Sequence, residues 1–370
     1  MNHLSTLRLE VDLDKIYHNA LTLVTRLRRL GISITGVTKA TLGSPEIAGA
    51  WLRAGVSGLG DSRIENVERM RAAGTSASMT LIRTPMLSQV DQVVAMTDMS
   101  FNTELEVIRK LSAAAKKADR MHGIILMVEL GDLREGIMPA LLESTVQKTL
   151  KLSNVVFMGI GTNLACRSGV SPENRNMAEL SALADSIDRS LGPVVTMVSG
   201  GNSANLEWAF DGGDLGRVND LRLGEAMLLG CEPLRRKKIK GLHTNAFTLV
   251  AEVIELKNKP SKPWGTLAQA AFGEVFPIRD RGNISQAILA IGRQDTDPEG
   301  LIAPHGIKIL ATSSDHLVVD VSHYKGRIKI GTEISFQLNY SALLRSMTSP
   351  FVPVMTKQSK IKNQTSRGPA

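Results

Sequence analysis

The chain is poor in cysteine and in aromatic residues, and each shortage excludes a class of protein. Among 370 residues there are only two cysteines, Cys166 and Cys231, and they do not form a Cys-x-x-Cys pair. A disulfide framework and a cysteine-based zinc site are therefore not expected. Aromatic residues make up only 4% of the chain, which leaves little surface on which nucleic-acid bases could stack.

The chain also lacks a long apolar run. No stretch approaches the roughly 20 apolar residues that a membrane-spanning helix needs, and residues 1–14 lack the apolar core of a signal peptide. Hydrophobic residues make up 43% of the chain and charged residues 22%, as is typical of a soluble globular protein. We therefore predict a cytoplasmic protein with no membrane partner.

The formal net charge is +8, but the basic residues that produce it are concentrated in two places. Five of them lie in RRKKIK, residues 235–240, and the others lie in a polar C-terminal tail: Lys357, Lys360, Lys362 and Arg367. Local clusters of this kind are typical of solvated linkers and tails. No nucleic-acid partner is predicted.

The first two thirds of the chain alternate between short apolar runs and longer amphipathic stretches. Eight strand-like runs begin near Leu7, Ile32, Gly58, Met79, Met99, Ile124, Val155 and Val194. Parallel strands need crossover helices, and a closed parallel sheet is buried on both faces, so this pattern favours an α/β fold with a (β/α)₈ barrel. A doubly wound open sheet remains an alternative, although its glycine fingerprint after the first strand is absent.

The pattern changes after residue 234. The runs FTLVAEVIEL, QAILAIG, GIKILATSS, HLVVDV and GTEISFQL follow one another without a convincing helix between them. They predict a separate all-β domain. We therefore divide the chain into a barrel of residues 1–234, a C-terminal β domain of residues 235–354 and a disordered basic tail of residues 355–370.

Lys39 stands where the second strand-like run, ISITGV, should end, just before a helix opened by Ser44 and Pro45. Parallel barrels carry their chemistry at the C-terminal ends of the strands. Burial favours the neutral form of an amine, and a neutral amine can form a Schiff base with an aldehyde cofactor. A lysine in this position can also be paired or solvated, so the prediction depends on the rest of the chain.

Two later stretches have the features of an anion site. VSGGNSAN, residues 198–205, ends a strand with two glycines, and Asn202 and Ser203 follow as natural helix N-caps. RLGEAMLLG, residues 222–230, repeats this arrangement. Glycine permits close approach of the backbone, and the free N–H groups of a helix start can bind phosphate. Loops after the last two barrel strands often hold a phosphate group.

The motifs VTKATLG, VELGDLREGI, GIGTNLAC, SGGNSAN, LRLGEAMLLG, AILAIGRQDTD and ILATSSDHLVVDV occur in this order along the chain. Their order resembles that of the fold-type III, alanine-racemase-like enzymes, which use pyridoxal 5′-phosphate, and in particular the ornithine/lysine racemase branch. The resemblance covers about residues 7–351. It implies a homodimer in which each active site lies between one barrel and the β domain of the partner subunit.

The resemblance also implies roles for individual residues. Lys39 would hold the cofactor as a Schiff base and act as one catalytic base, Arg134 would contact the phenolic oxygen of the cofactor, and Asn163 would lie against its ring. Arg222 would face the pyridine nitrogen. The phosphate would be bound by the two glycine-rich loops, through Gly201, Asn202, Ser203, Gly224 and Glu225.

Racemisation needs a proton acceptor on each face of Cα, and the second acceptor is not evident. Phe272, in QAAFGEVF, occupies the position of the tyrosine that alanine racemases use, and phenylalanine cannot transfer a proton. The neighbouring motif also differs, with Arg293 and Asp295 in GRQDT. We predict that Cys166, or the pair Asp315 and His316 from the partner subunit, supplies the missing base.

The predicted function is cofactor-dependent racemisation of a free amino acid, with a basic diamino acid such as ornithine or lysine favoured over alanine. Glu225, Asp295 and Asp315 are candidates for contacting a cationic substrate side chain. Two alternatives remain: a lyase or decarboxylase on the same fold, and a non-catalytic carrier of pyridoxal phosphate. The carrier proteins resemble the barrel alone, which argues against that alternative here.

Overall fold

The computed structural model describes residues 7–273 and 279–359, which form two compact units. The barrel unit contains Ile16–Thr244, and the sheet unit combines the residues up to Lys15 with those from Asn245 onward. The division therefore falls ten residues later than the boundary at 234 that the change of pattern indicated. Residues 360–370, which make up most of the predicted tail, lie outside the described residues.

The barrel is closed by eight parallel strands that pair in sequence order. After β1 (Arg8–Asp12), which belongs to the sheet unit, the barrel strands are β2 (Ser33–Val37), β3 (Gly58–Asp61), β4 (Met79–Leu81), β5 (Met99–Asn102), β6 (His122–Met127), β7 (Val155–Gly161), β8 (Met197–Ser199) and β9 (Asp220–Leu223). The predicted (β/α)₈ barrel is confirmed.

A helix follows each barrel strand. The helices that begin before residue 230 are α1 (Leu13–Arg28), α2 (Pro45–Arg53), α3 (Ile64–Ala72), α4 (Val90–Met96), α5 (Leu105–Lys117), α6 (Pro139–Leu150), α7 (Asn174–Leu191), α8 (Asn205–Phe210) and α9 (Glu225–Leu229). Helix α2 begins as predicted, because Pro45 occupies its first turn and the Ser44 hydroxyl accepts the Ile47 N–H. The barrel core includes Phe101, Ile125 and Met127, which are all buried.

The prediction of the first barrel strand was wrong. Strand β1 pairs antiparallel with β10 (Phe247–Pro260), in the sheet unit, and β9 closes the barrel instead. The physical reason is visible in β1, where buried Leu9 and Val11 alternate with polar residues. Such alternation is typical of a strand with one solvated face, whereas a barrel strand is buried on both faces.

The sheet unit contains the five predicted β-domain strands. Besides β10 they are β11 (Asn283–Leu289), β13 (Lys308–Thr312), β14 (Leu317–Asp320) and β15 (Glu333–Leu338). The short strand β12 (Leu301–Ile302) belongs to the same sheet. The sheet order is β12-β15-β10-β11-β14-β13, with antiparallel pairing throughout this path. The β domain is therefore confirmed.

Two elements of this unit depart from the sequence analysis. Helix α10 (Tyr340–Thr348), which begins at the cap of Asn339, was not predicted. Strand β16 (Val354–Lys357) pairs in parallel with β1, so the first residues of the predicted disordered tail form regular structure. Among the described residues, no helix is both long enough and apolar enough to cross a membrane.

Candidate active site

Lys39 lies at the C-terminal end of β2, where the sequence analysis placed it. It opens a single 3₁₀ turn, Lys39–Thr41, directly after Thr38. The Thr38 hydroxyl donates to the buried Asp61 carboxylate at 2.7 Å, and the Thr38 N–H donates to the Gly60 carbonyl at 2.9 Å. The backbone before Lys39 is thus tied to the neighbouring strand β3. The half-buried Lys39 amine makes no hydrogen bond or ion pair with another described residue.

The turn after Lys39 depends on a glycine. Leu42 has a φ of 50° and Gly43 a φ of 62°, and a Cβ on Gly43 would lie 2.6 Å from the Asn66 carbonyl oxygen. No other residue type fits there without moving the start of α3. The Asn66 side chain also donates to Asp61 at 3.0 Å. Burial raises the pKa of Asp61, while the donors around it oppose that rise.

The loop after β8 brings Asn202 against the loop after β7. The Asn202 amide donates to the Asn163 side-chain oxygen at 3.1 Å and to the Leu164 carbonyl at 2.8 Å. Gly201 has a φ of 143°, and a Cβ there would lie 2.2 Å from the Asn205 side-chain oxygen. The predicted residues Asn163, Gly201 and Asn202 therefore lie together at the strand ends.

Three backbone N–H groups on the last two barrel loops are free to bind an anion. Those of Ser203, Gly224 and Glu225 donate to no acceptor among the residues that the structure describes. The Ser203 hydroxyl accepts the Ala226 N–H at 3.2 Å, which joins the two loops. A Cβ on Gly224 would lie 2.8 Å from the Val37 carbonyl oxygen, so this loop also packs against the end of β2.

Arg222, on β9, is buried and held by groups of the two preceding barrel strands and their loops. Its guanidinium donates to the Ser199 hydroxyl at 2.5 Å and to the Thr162 carbonyl at 2.6 Å, and it lies 3.5 Å from the Asn163 side-chain oxygen. The guanidinium carbon lies 4.8 Å from the centre of the Phe101 ring. These contacts fix the orientation of the guanidinium group toward the strand ends.

A buried carboxylate balances the charge of Arg222. Asp220 accepts hydrogen bonds from the Ser199 hydroxyl and, at 2.8 Å, from the Thr35 hydroxyl. Burial lowers the pKa of Arg222 to about 10, while the charge of Asp220 opposes this change. Burial likewise raises the pKa of Asp220. Arg222 thus remains a cation near neutral pH.

The Asn163 side chain has an unused donor. Its oxygen accepts from Asn202, but its buried nitrogen has no hydrogen-bond partner among the described residues. Buried polar groups are usually hydrogen-bonded, and an unpaired one calls for an explanation such as an absent ligand. The amide therefore indicates a bound group with an acceptor at this position.

Arg134 and Cys166 are brought together from neighbouring loops. The Arg134 guanidinium lies 2.6 Å from the Cys166 sulfur and forms an ion pair with Glu135. Burial lowers the pKa of Arg134, but Glu135 and Cys166 outweigh it, so the pKa is raised. The thiol is exposed, and it lies on the same loop as Asn163.

Asp132 holds these two loops together. Its carboxylate, on the loop after β6, accepts the Arg167 N–H at 2.8 Å and the Cys166 N–H at 3.2 Å, both from the loop after β7. Burial opposes ionisation, but these backbone donors hold the pKa of Asp132 below its usual value. Cys166 is therefore fixed at its backbone while its side chain reaches Arg134.

Glu225, the first residue of α9, forms an ion pair with Arg236. The Glu225 side chain is 14% exposed and the Arg236 side chain 59% exposed. Burial raises the pKa of Glu225, while the charges of Arg236 and Lys39 oppose the rise. The predicted residues Lys39 and Glu225 thus follow the ends of neighbouring strands, β2 and β9.

The remaining predicted residues lie in the sheet unit. Asp315 and His316 form an exposed pair, with 2.9 Å between Asp315 Oδ1 and His316 Nδ1. Asp295 is buried and accepts from the Gly292 N–H and the Ser349 hydroxyl, both at 3.1 Å. Asp295 thus stabilises its own turn.

Phe272 is 55% exposed and lies beneath the Arg293 guanidinium, 5.2 Å from ring centre to guanidinium carbon. Part of its motif, residues 274–276, lies outside the described residues. No cluster of three or more His, Cys, Asp or Glu side chains in residues 7–273 and 279–359 could hold a metal ion.

Residues 11–233 match the family model described as the alanine racemase N-terminal domain. The chain belongs to the alanine racemase family. This membership agrees with the barrel and with the residues at its strand ends, and it confirms the family that the ordered motifs indicated.

Two relatives in the family match nearly the whole chain. A lysine racemase from Thermotoga maritima is 38% identical over 347 residues, which are 93% of this chain and 97% of that protein. An ornithine racemase from Acetoanaerobium sticklandii is 37% identical over 348 residues, 93% of this chain and 98% of that protein. The predicted ornithine/lysine branch is confirmed.

Solved structures extend the comparison to the fold. The alanine racemase of D-cycloserine-producing Streptomyces lavendulae superposes with a TM-score of 0.74 at 19% identity, over 95% of this chain and 97% of that one. At this identity the likeness establishes the alanine racemase fold alone.

The residues that orient the candidate site residues through hydrogen bonds or ion pairs were not predicted from the sequence. They are Thr38, Asp61, Thr162, Ser199, Asp220 and Arg236. One signal was available: Asp220 and Arg222 are two residues apart on a strand, so their side chains share a face. The other contacts depend on which strands become neighbours and on loop conformation.

Proposed function

We propose that this chain is a pyridoxal 5′-phosphate-dependent racemase of a free basic diamino acid, with ornithine or lysine as its substrate. The observation that carries the proposal is the match, over nearly the full length of both chains, to a lysine racemase and an ornithine racemase. A match of that extent includes the sheet unit as well as the barrel, so it covers every residue that the proposal uses.

The residues present fit the cofactor. The free N–H groups of Ser203, Gly224 and Glu225, on two adjacent loops, suit a phosphate group. The unpaired nitrogen of Asn163 suits an acceptor on the cofactor ring, and Lys39 has a free amine at the neighbouring strand end. Pyridoxal phosphate bound there would supply an aldehyde for an amine and a conjugated ring that can hold the electrons released at Cα.

Lys39 and Arg222 then have distinct tasks. The Lys39 amine, when neutral, accepts the Cα proton on one face of the substrate and returns it. The Arg222 guanidinium only donates hydrogen bonds, so it would disfavour protonation of a ring nitrogen placed against it. Arg222 would thereby favour simple proton exchange over reactions that need a long-lived negative charge. Ser199 and Asp220 keep Arg222 in place for this task.

For the opposite face of Cα we propose two candidates, Cys166 and His316. The Cys166 sulfur lies 2.6 Å from the Arg134 guanidinium, and the thiolate form of a cysteine can accept a proton. His316 is oriented by Asp315, which leaves the second ring nitrogen of the imidazole available for proton transfer. In a homodimer, His316 would come from the partner subunit.

The variants Cys166→Ala and His316→Asn separate these candidates. Loss of the true second base should lower the rate of inversion by about 10²–10⁴-fold. Exchange of the Cα proton of one enantiomer with solvent deuterium should persist, because Lys39 still serves its own face. A variant with unchanged inversion removes its residue from the mechanism.

The function itself is tested by incubating the protein and pyridoxal phosphate in D₂O with L-ornithine, L-lysine, L-arginine, L-serine and L-alanine. We expect optical rotation and the Cα proton signal to be lost together for ornithine or lysine. Lys39→Ala should abolish both while leaving thermal unfolding of the cofactor-free protein unchanged. Cofactor binding without exchange on any of the five amino acids would contradict the proposal and favour a carrier. Sedimentation of the protein tests the proposed homodimer.

A further inference from the structure

A buried carboxylate at the candidate site is paired with a cation that solvent can reach. The Glu225 side chain is 14% exposed, whereas its partner Arg236 is 59% exposed. Removing one partner of a buried ion pair leaves an uncompensated charge unless another cation can reach the buried partner. Here the carboxylate is fixed and its partner lies at the surface. Another cation could therefore take the place of Arg236 without leaving Glu225 unpaired.

The loop that carries Arg236 keeps its shape without this ion pair. The Glu232 carboxylate accepts the backbone N–H groups of Leu234 at 2.7 Å, Lys237 at 2.8 Å and Arg235 at 3.1 Å. Arg236 itself has a φ of 57°, a left-handed conformation that a side chain disfavours. Because Glu232 holds the loop in this conformation, the Arg236 side chain can leave Glu225 while the backbone stays in place.

Glu225 is also positioned to meet a substrate. It follows Gly224 directly, and both residues offer free backbone N–H groups to the proposed cofactor phosphate. The charge of Lys39 acts on its carboxylate. A basic amino acid attached through its α-amine near Lys39 carries a second cation at the end of a flexible chain. Gly224 packs against the end of β2, the strand that leads to Lys39, so the Glu225 carboxylate follows a neighbouring strand end. A buried carboxylate there can pair with such a cation.

We infer that the Glu225 carboxylate binds the terminal ammonium group of a basic amino-acid substrate, which displaces Arg236 and so selects cationic over neutral side chains. The inference rests on the proposed function and names the residue that determines its specificity. A neutral side chain of equal length leaves the Glu225–Arg236 pair intact and gains no ionic contact.

The test compares L-lysine with L-norleucine, which has the same carbon chain without the terminal ammonium group. In Glu225→Gln the ratio of kcat/KM for lysine to that for norleucine should fall by about 10- to 100-fold, through the KM for lysine. In Arg236→Met the KM for lysine should decrease, because the competing cation is gone. The matched control is Arg235→Met, since Arg235 lies on the same loop but pairs with exposed Glu207; its ratio should not change.

Equal losses on both amino acids in Glu225→Gln would overturn the inference while leaving the proposed racemase intact. If Glu225→Gln fails to fold, Arg236→Met decides alone, and an unchanged or higher KM for lysine contradicts the inference. A binding measurement separates this inference from the proposed function. The holoenzyme should bind 1,5-diaminopentane more tightly than pentylamine, and Glu225→Gln should lose that preference even if no amino acid is racemised.

Discussion

Two of the buried polar clusters in the described part of the barrel unit differ in how fully their hydrogen bonds are satisfied. The charged cluster consists of Thr35, Ser199, Asp220 and Arg222. Arg222 donates to Ser199, Ser199 donates to Asp220, and Thr35 donates to the other oxygen of Asp220. Both charges are thus compensated through hydroxyl groups.

The neutral cluster consists of Ser100, Asn102 and His122. His122 contacts the Ser100 hydroxyl at 2.8 Å, and the Asn102 amide donates to the same hydroxyl at 3.0 Å. The second ring nitrogen of His122 and the side-chain oxygen of Asn102 are buried without partners among the described residues. Burial lowers the pKa of His122 to about 4, so the cluster stays uncharged at neutral pH.

The difference shows what burial of a charge requires in this barrel. In the charged cluster the ionised pair is met by hydroxyl and carbonyl groups, and it lies beside the candidate active site. The neutral cluster has too few partners to hold a charge, and it therefore responds to acid. Three experiments test this contrast, in order of decreasing expected effect.

The largest effect is expected from breaking the charged cluster. Arg222→Met leaves Asp220 buried without its cation and should lower the free energy of unfolding by about 3–5 kcal/mol. The measurement is urea unfolding without added cofactor, so that ligand binding does not contribute. Adding Asp220→Asn should recover part of the loss, because no uncompensated charge remains. If the free energy of unfolding of Arg222→Met lies within about 1 kcal/mol of the wild-type value, Asp220 is already neutral in the folded protein.

The neutral cluster should make stability depend on pH. The pKa of His122 falls from its usual 6.5 to about 4 on folding. The stability that the protein gains from keeping His122 neutral is therefore fully present above about pH 6.5. It is lost as the pH falls toward 4, because the unfolded chain binds the proton first. The loss amounts to about 3 kcal/mol at most. His122→Asn should remove that part of the pH dependence, and an unchanged slope between pH 6.5 and 4 would contradict the assignment.

The fold could be predicted from the sequence because strands and helices leave periodic patterns. Seven of the eight barrel strands and five strands of the sheet unit were located in this way. The residues from Arg8 to Asp12 belong to the other sheet, and their alternation of buried and polar positions is the signal that indicates it. The number of strand-like runs alone favours the barrel. Strand β9 does not stand out as an apolar run, because two of its four residues, Asp220 and Arg222, are charged.

The candidate site was predictable only in part. Lys39, Asn163, Ser203 and Gly224 could be grouped because the C-terminal ends of parallel strands meet at one end of a barrel. The partners that orient the site residues could not be predicted in this way. Their hydrogen bonds join residues that are distant in sequence and depend on strand register. The contact between Arg134 and Cys166 is one example. The pair of Glu225 and Arg236 depends in addition on a left-handed backbone conformation.

The smallest effect is expected from removing a single hydroxyl group from each cluster. Ser199→Ala removes the hydroxyl group that links the two charges and should lower the free energy of unfolding by about 2 kcal/mol. Ser100→Ala should lower it by about 1 kcal/mol, because hydrogen bonds to charged groups are stronger than those between neutral groups. Both are measured by urea unfolding and by the rate of racemisation. Ser199→Ala should also lower kcat, because Arg222 loses its orienting partner, whereas Ser100→Ala should leave kcat unchanged. Equal effects of the two substitutions on both measurements would mean that compensation of the buried charges does not set this site apart from the rest of the barrel.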